Sequence, residues 1–88
     1  MHTQRYYTLS ASCPDRVGIV ARVASFISEH NGWILESSYH SDTHSEGETR
    51  YFMRLEIKAD SLPFHLAEFR ERFRPIGEEL EMQWKIID

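Results

Sequence analysis

The stretch YTLSASCPDRVGIVARVASFIS, residues 7–28, changes its hydrophobic period once, and that change decides the fold. Up to Cys13 the apolar residues alternate. Tyr7, Leu9, Ala11 and Cys13 fall on one side; Tyr6, Thr8, Ser10 and Ser12 fall on the other. A period of two puts alternate side chains on opposite faces of a half-buried strand, here Arg5 to Cys13. Pro14 has no N–H to give to a ladder and ends the strand. Asp15 then stands where a helix N-cap belongs, its carboxylate placed to accept bonds from unpaired backbone N–H groups. The spacing predicts a helix from about Arg16 to Asn31. Val17, Val20, Ala24 and Ile27 form one apolar stripe, and Ile19, Val23 and Phe26 a second beside it. Two stripes make a face wider than packing on one sheet requires, so the surplus is expected against the second helix or another domain. Asn31-Gly32 closes the helix, glycine supplying the left-handed conformation.

Working outward, Trp33 to Thr43 reads as a second extended segment with weaker alternation, and Ser45-Glu46-Gly47-Glu48 as a hairpin turn. The clearest strand follows: Tyr51, Met53, Leu55, Ile57 and Ala59 face one way, Phe52, Arg54, Glu56 and Lys58 the other. Asp60-Ser61-Leu62-Pro63 begins a second helix, with proline near its first turn. Leu66, Phe69, Phe73 and Ile76 recur there at helical spacing, and Pro75 and Gly77 are expected to end it. Leu80 to Ile87 alternates again, Met82, Trp84 and Ile86 against Glu81, Gln83 and Lys85. The order is that of an α+β, ferredoxin-like βαββαβ sandwich. Right-handed crossovers favour one four-stranded antiparallel sheet, spatial order 4-1-3-2, with both helices on a single face. The other face, with Phe52, Arg54 and Glu56, is left uncovered.

Composition narrows the function. Eighty-eight residues leave room for one core, so residues 1–88 are a single domain. A hydrophobic share of 41% with 27% charged residues is globular rather than disordered. The net charge of −4 opposes a nucleic-acid partner, whose phosphates reward a dense basic patch. The single Cys13 rules out an intramolecular disulfide, and on the inward face it reads as a small core residue rather than a reactive thiol. No stretch is apolar enough for a signal peptide or a bilayer span, so a cytoplasmic location is the default and no membrane partner is expected. Because the chain stops at Ile86-Ile87-Asp88, straight after an apolar run, truncation from a longer polypeptide is expected. So small a domain gains stability from pairing, and homo-oligomerisation is expected through the first helix or an edge strand.

The strongest local feature is Cys13-Pro14-Asp15-Arg16-Val17-Gly18. A helix N-terminus presents unpaired N–H groups and partial positive charge, which suit a carboxylate or a phosphate. Gly18 lets a ligand approach the backbone closely. The plainer reading of the same residues is an N-cap followed by a tolerated glycine. His40, Asp42 and His44 share one face of an extended strand and offer metal-ligand chemistry. With no cysteine or fourth ligand beside them, a solvated polar edge is preferred and no metal is assigned. Arg50 and Arg54 straddle the third strand, with Glu36, Glu56 or another domain as their partners.

An Asp-x-x-Gly opening a helix after a strand, in this βαββαβ order, resembles the ACT domains, which bind amino acids and similar small effectors. Two motifs together, Cys13-Pro14-Asp15 with Gly18 and Arg50-Tyr51-Phe52-Met53-Arg54, resemble the N-terminal ACT domains of the formyltetrahydrofolate deformylase family. The likeness spans the whole chain. It implies a parent hydrolase that converts 10-formyltetrahydrofolate to formate and tetrahydrofolate, for purine synthesis and one-carbon balance. The catalytic residues would lie in a C-terminal formyltransferase-like domain, and none is assigned here; nor is a cofactor. The resemblance implies that Asp15, Arg16, Val17 and Gly18 line an effector site completed by the start of the second strand of a neighbouring copy. That position often holds an asparagine in ACT domains and holds Trp33 here, so Trp33 either fills the site or anchors an interface. Methionine and glycine are the effectors that such a parent suggests. Phe52 and Arg54 are the candidate contacts with another domain.

Three other readings share the architecture. One is a stand-alone ACT-type amino-acid sensor. Another is a small acylphosphatase-like enzyme holding phosphate with Arg16, though the loop lacks the extra glycine of such a cradle. The third is an RNA-binding module using Tyr6 and Phe52 on the open face, against which the acidic charge balance argues.

Overall fold

The computed structural model describes residues 5–43 and 47–88. The chain runs β1 (Tyr6–Pro14), α1 (Ile19–Glu29), β2 (Ile34–Thr43), β3 (Thr49–Lys58), a single 3-10 turn (Ala59–Ser61), α2 (Leu66–Glu79) and β4 (Gln83–Ile87). The sheet order is β2-β3-β1-β4 with every pair antiparallel, which is the expected 4-1-3-2 read from the other edge. Half of the expected turn, Ser45 and Glu46, lies outside the described residues, as does His44.

Alternation sorts the two faces of the sheet. Tyr7, Leu9, Ala11 and Cys13 from β1, Met53, Leu55 and Ile57 from β3 and Ile86 from β4 are buried beneath the helices. α1 contributes Ile19, Val23, Phe26 and Ile27 to that core, and α2 contributes Phe69, Phe73, Ile76 and Gly77. Part of the surplus stripe on α1 does pack on the second helix. Phe26 lies 6.4 Å from Phe69, nearly parallel, and 5.7 Å from Phe73, edge-on. Arg22 clasps Glu79 across the outside of the helix pair at 3.0 Å. The rest of the stripe, Val17 and Val20, stays exposed.

Four local expectations are corrected. Asp15 is not the N-cap of α1. The helix begins three residues beyond the expected start, capped by Gly18 with φ +93° and no side-chain bond. At the C-terminal end the left-handed residue is Asn31 (φ 61°) rather than Gly32. Asparagine tolerates that conformation, while Gly32 is small because a Cβ there would press on Ile27 and Leu62. Asp60-Ser61-Leu62-Pro63 does not start α2; the 3-10 turn intervenes and His65 is the N-cap. Finally, Pro75 and Gly77 lie inside α2 instead of ending it. Proline in a helix interior forfeits a hydrogen bond at a cost of about 3 kcal/mol. Here the buried row Phe69, Phe73, Ile76 and Leu80 holds the helix through it.

Candidate functional site at the β1–α1 junction

β1 delivers its C-terminal end to the same rim of the sheet as the hairpin end of β2 and β3. The Asp15 N–H donates to the Thr49 carbonyl at 3.0 Å. The Ser41 hydroxyl donates to the Asp15 carboxylate at 3.2 Å. Asp15 therefore ties the loop to β2 and leaves the helix without a side-chain cap. The first-turn N–H groups of α1 have no side-chain acceptor, and Gly18 adds no side chain over them. A hollow of about 340 Å³ opens there, lined by Arg16, Gly18, Ile19, Val20, Ala21 and Tyr51. The first turn of α1, with its positive helix end, and Arg16 line it, a combination that favours a carboxylate. Val17 projects from the loop and is fully exposed, at 100%.

Tyr51 forms one wall of the hollow, backed by Tyr39, and the sequence assigned neither to the site. Tyr39 and Tyr51 stack at 6.2 Å across the β2–β3 pair. Burial pushes the Tyr51 phenol above its ordinary range, and the neighbouring Tyr39 adds to this. The signal for them lay in the hairpin register, in which Ser41 faces Tyr51 and Tyr39 faces Met53. Beneath the loop, Cys13 is wholly buried, and burial raises its thiol pKa, so it belongs to the core.

Trp33 is not part of this hollow within one chain. Its carbonyl accepts from the Lys58 N–H at 2.9 Å, at the far end of β3 from Thr49. Nine residue-to-residue steps of strand separate the two ends, roughly 30 Å at the usual rise. Trp33 is 62% exposed, with the Lys58 ammonium 5.2 Å from its ring. Between these ends runs the whole of β2, an edge strand exposed from Leu35 to Thr43.

Phe52 and Arg54 lie on the open face as expected. Arg54 pairs with Glu56 at 3.0 Å, and His40 stacks on Phe52 with ring centres 5.0 Å apart. Arg50 donates instead to the Ser12 hydroxyl at 3.2 Å. Among the described residues no cluster of His, Cys, Asp and Glu is placed to hold a metal, and no helix is long and apolar enough to cross a membrane.

No protein-family model matches the chain. Similarity to parts of known proteins nonetheless covers most of the chain. It is 33% identical over 78 residues to a formyltetrahydrofolate deformylase of Bacillus subtilis, covering 89% of this chain and 25% of that protein. A deformylase crystal structure from Pseudomonas syringae superposes with a TM-score of 0.90 at 54% identity, covering 99% of this chain and 28% of the other. The regulatory subunit of aspartate kinase from Thermus thermophilus shares the fold, with a TM-score of 0.65 at 19% identity over 93% of this chain and 51% of that one. The chain thus spans about a quarter of the length of the curated relatives it matches.

Proposed function

We propose, from homology to one quarter of the formyltetrahydrofolate deformylases, that this chain is the ACT-type regulatory and oligomerising domain of such an enzyme. In this reading the cytoplasmic parent hydrolyses 10-formyltetrahydrofolate to formate and tetrahydrofolate. Its catalytic groups belong to a further domain of the same polypeptide, and the present residues carry no step of the reaction.

The observation that carries the reading is the asymmetry of the sheet edges. β4 is short, and its outer side is occupied by Arg70, which donates to the Ile86 carbonyl. β2 is ten residues long and open. An exposed edge with unpaired N–H and C=O groups pairs readily with another strand, and a two-fold axis makes such pairing antiparallel. Two copies joined along β2 would bring Trp33 of one to the Asp15–Gly18 loop of the other. The exposed Val17, Val20 and Trp33 would then be covered together. Each junction would hold an amino acid, its carboxylate on the first-turn N–H groups of α1 and on Arg16, its side chain against Val17 and Trp33.

The test is calorimetric titration of the chain with methionine and with glycine. A saturable signal that is weakened by Arg16→Gln and Trp33→Ala supports the effector site. Silence across all twenty amino acids overturns the effector half of the proposal and leaves oligomerisation as the role of the β2 edge.

A further inference from the structure

The open face of the sheet, on the side away from the helices, carries a second hollow of about 520 Å³ that the β2 junction does not use. Strand register fixes what meets there. Arg54 of β3 is aligned with Ser10 of β1, and Ser10 with Lys85 of β4. Neighbouring strands are about 4.8 Å apart, so the Arg54 and Lys85 backbones stand roughly 10 Å apart with a small hydroxyl residue between them. Long cationic side chains at that spacing can close on one group from both sides. In the next row His40, Phe52 and Ser12 are aligned, and the His40 ring lies nearly parallel to Phe52, at 12°. The two rings are thus stacked face on face, and the Phe52 face turned away from His40, toward the small Ser12, adjoins a two-sided cationic clamp.

Charge makes the arrangement specific. The whole chain is at −4, yet Arg50, Arg54 and Lys85 gather on this part of the sheet. Lys85 has no carboxylate within ion-pair distance among the described residues. Glu56 engages one terminal nitrogen of Arg54, from the side of the clamp away from Phe52. The other guanidinium N–H groups remain for a ligand. Glu36 and Asp42 on β2 flank the hollow, so an extended polyanion meets repulsion where a single anionic group does not.

We propose that the open face binds a small planar ring bearing one anionic group, a carboxylate or a phosphate. The ring stacks on Phe52 from the side opposite His40, and the anion sits over Ser10 between Arg54 and Lys85. The contact role expected of Phe52 and Arg54 is thereby given to a small ligand, and the inference stands independently of the effector site beside α1.

The experiment is an amide-shift titration of the ¹⁵N-labelled chain with phenyl phosphate and with benzoate, with inorganic phosphate and phenol as the separate halves. The proposal expects saturating shifts at Ser10, Phe52, Arg54 and Lys85. One ringed anion or both should bind about tenfold tighter than either half, because ring stacking and the charge-assisted bonds then act together. Arg54→Gln and Lys85→Gln should each weaken binding about fivefold or more, with an unchanged circular dichroism spectrum. Stronger binding of phenyl phosphate or of benzoate identifies which anion the clamp takes. Shifts confined to residues 15–21, affinities untouched by both substitutions, or no saturable shift with any probe would overturn it.

Discussion

The Arg70 guanidinium donates twice to the Ile86 carbonyl, at 3.1 and 2.8 Å, and so occupies the outer side of β4. Edge strands that keep their polar backbone groups unpaired invite pairing, and proteins blunt them with charge or short length. β4 has both devices, being five residues long. β2 has neither. Arg70→Ala should cost about 1.5–3 kcal/mol in urea unfolding, as expected for hydrogen bonds from a charged donor, and should open the β4 edge to association beyond that set by β2. Association that grows in this variant through β4 would confirm that Arg70 acts as an edge guard; an unchanged unfolding midpoint would show that the contact contributes nothing.

Gly77 and Trp84 are a second such pair. A Cβ on Gly77 would run into the indole of Trp84, which itself packs edge-on against Phe73 at 5.0 Å. Overpacking of this kind typically costs about 1–3 kcal/mol. Gly77→Ala should therefore lower the melting temperature by several degrees, even though alanine has the better helix propensity. A rise in melting temperature would mean that propensity outweighs the clash.

Gly77 also shows where the sequence was legible and where it was not. Alternation in Tyr7–Cys13 and Tyr51–Ile57, and the helical recurrence of Phe69, Phe73 and Ile76, report burial directly, so strand order and core could be read in advance. Glycine and proline report only a local tolerance. At Gly77 the glycine answers to a neighbour in β4 that is close in space, and Pro75 is carried by the packing on either side of it. The same limit applies at the candidate site. Asp15 looked like a cap because the sequence cannot show that Ser41, 26 residues later, engages its carboxylate. Tyr39 was not singled out because β2, exposed on both faces, carries almost no alternation.

Arg5, the first described residue, meets Asp88, and their side chains are hydrogen-bonded and exposed. The hydrogen bond from Arg5 holds the Asp88 carboxyl below its ordinary range. A carboxylate lowered in the folded state adds stability above the ordinary carboxylate pKa, and that contribution is lost as pH falls through the lowered value. Carboxyl NMR should place the Asp88 midpoint below that of a free aspartate, and Arg5→Gln should restore it. Because the pair is exposed, the melting temperature at pH 7 should barely move. An Asp88 midpoint unaffected by Arg5→Gln would show that the pair does not persist in solution.

The central claim, that an effector site is completed between two copies along β2, has a direct test in covalent trapping. Val17→Cys and Trp33→Cys variants are mixed in equal amounts and oxidised, and the linked species are sorted by mass. Cysteines bridge only when their Cα atoms come within about 7 Å, and within one chain these positions lie at opposite ends of β3, roughly 30 Å apart. The account predicts linked dimers that each contain one Val17→Cys chain and one Trp33→Cys chain. Linkage mainly between identical variants, or none at all, would contradict it.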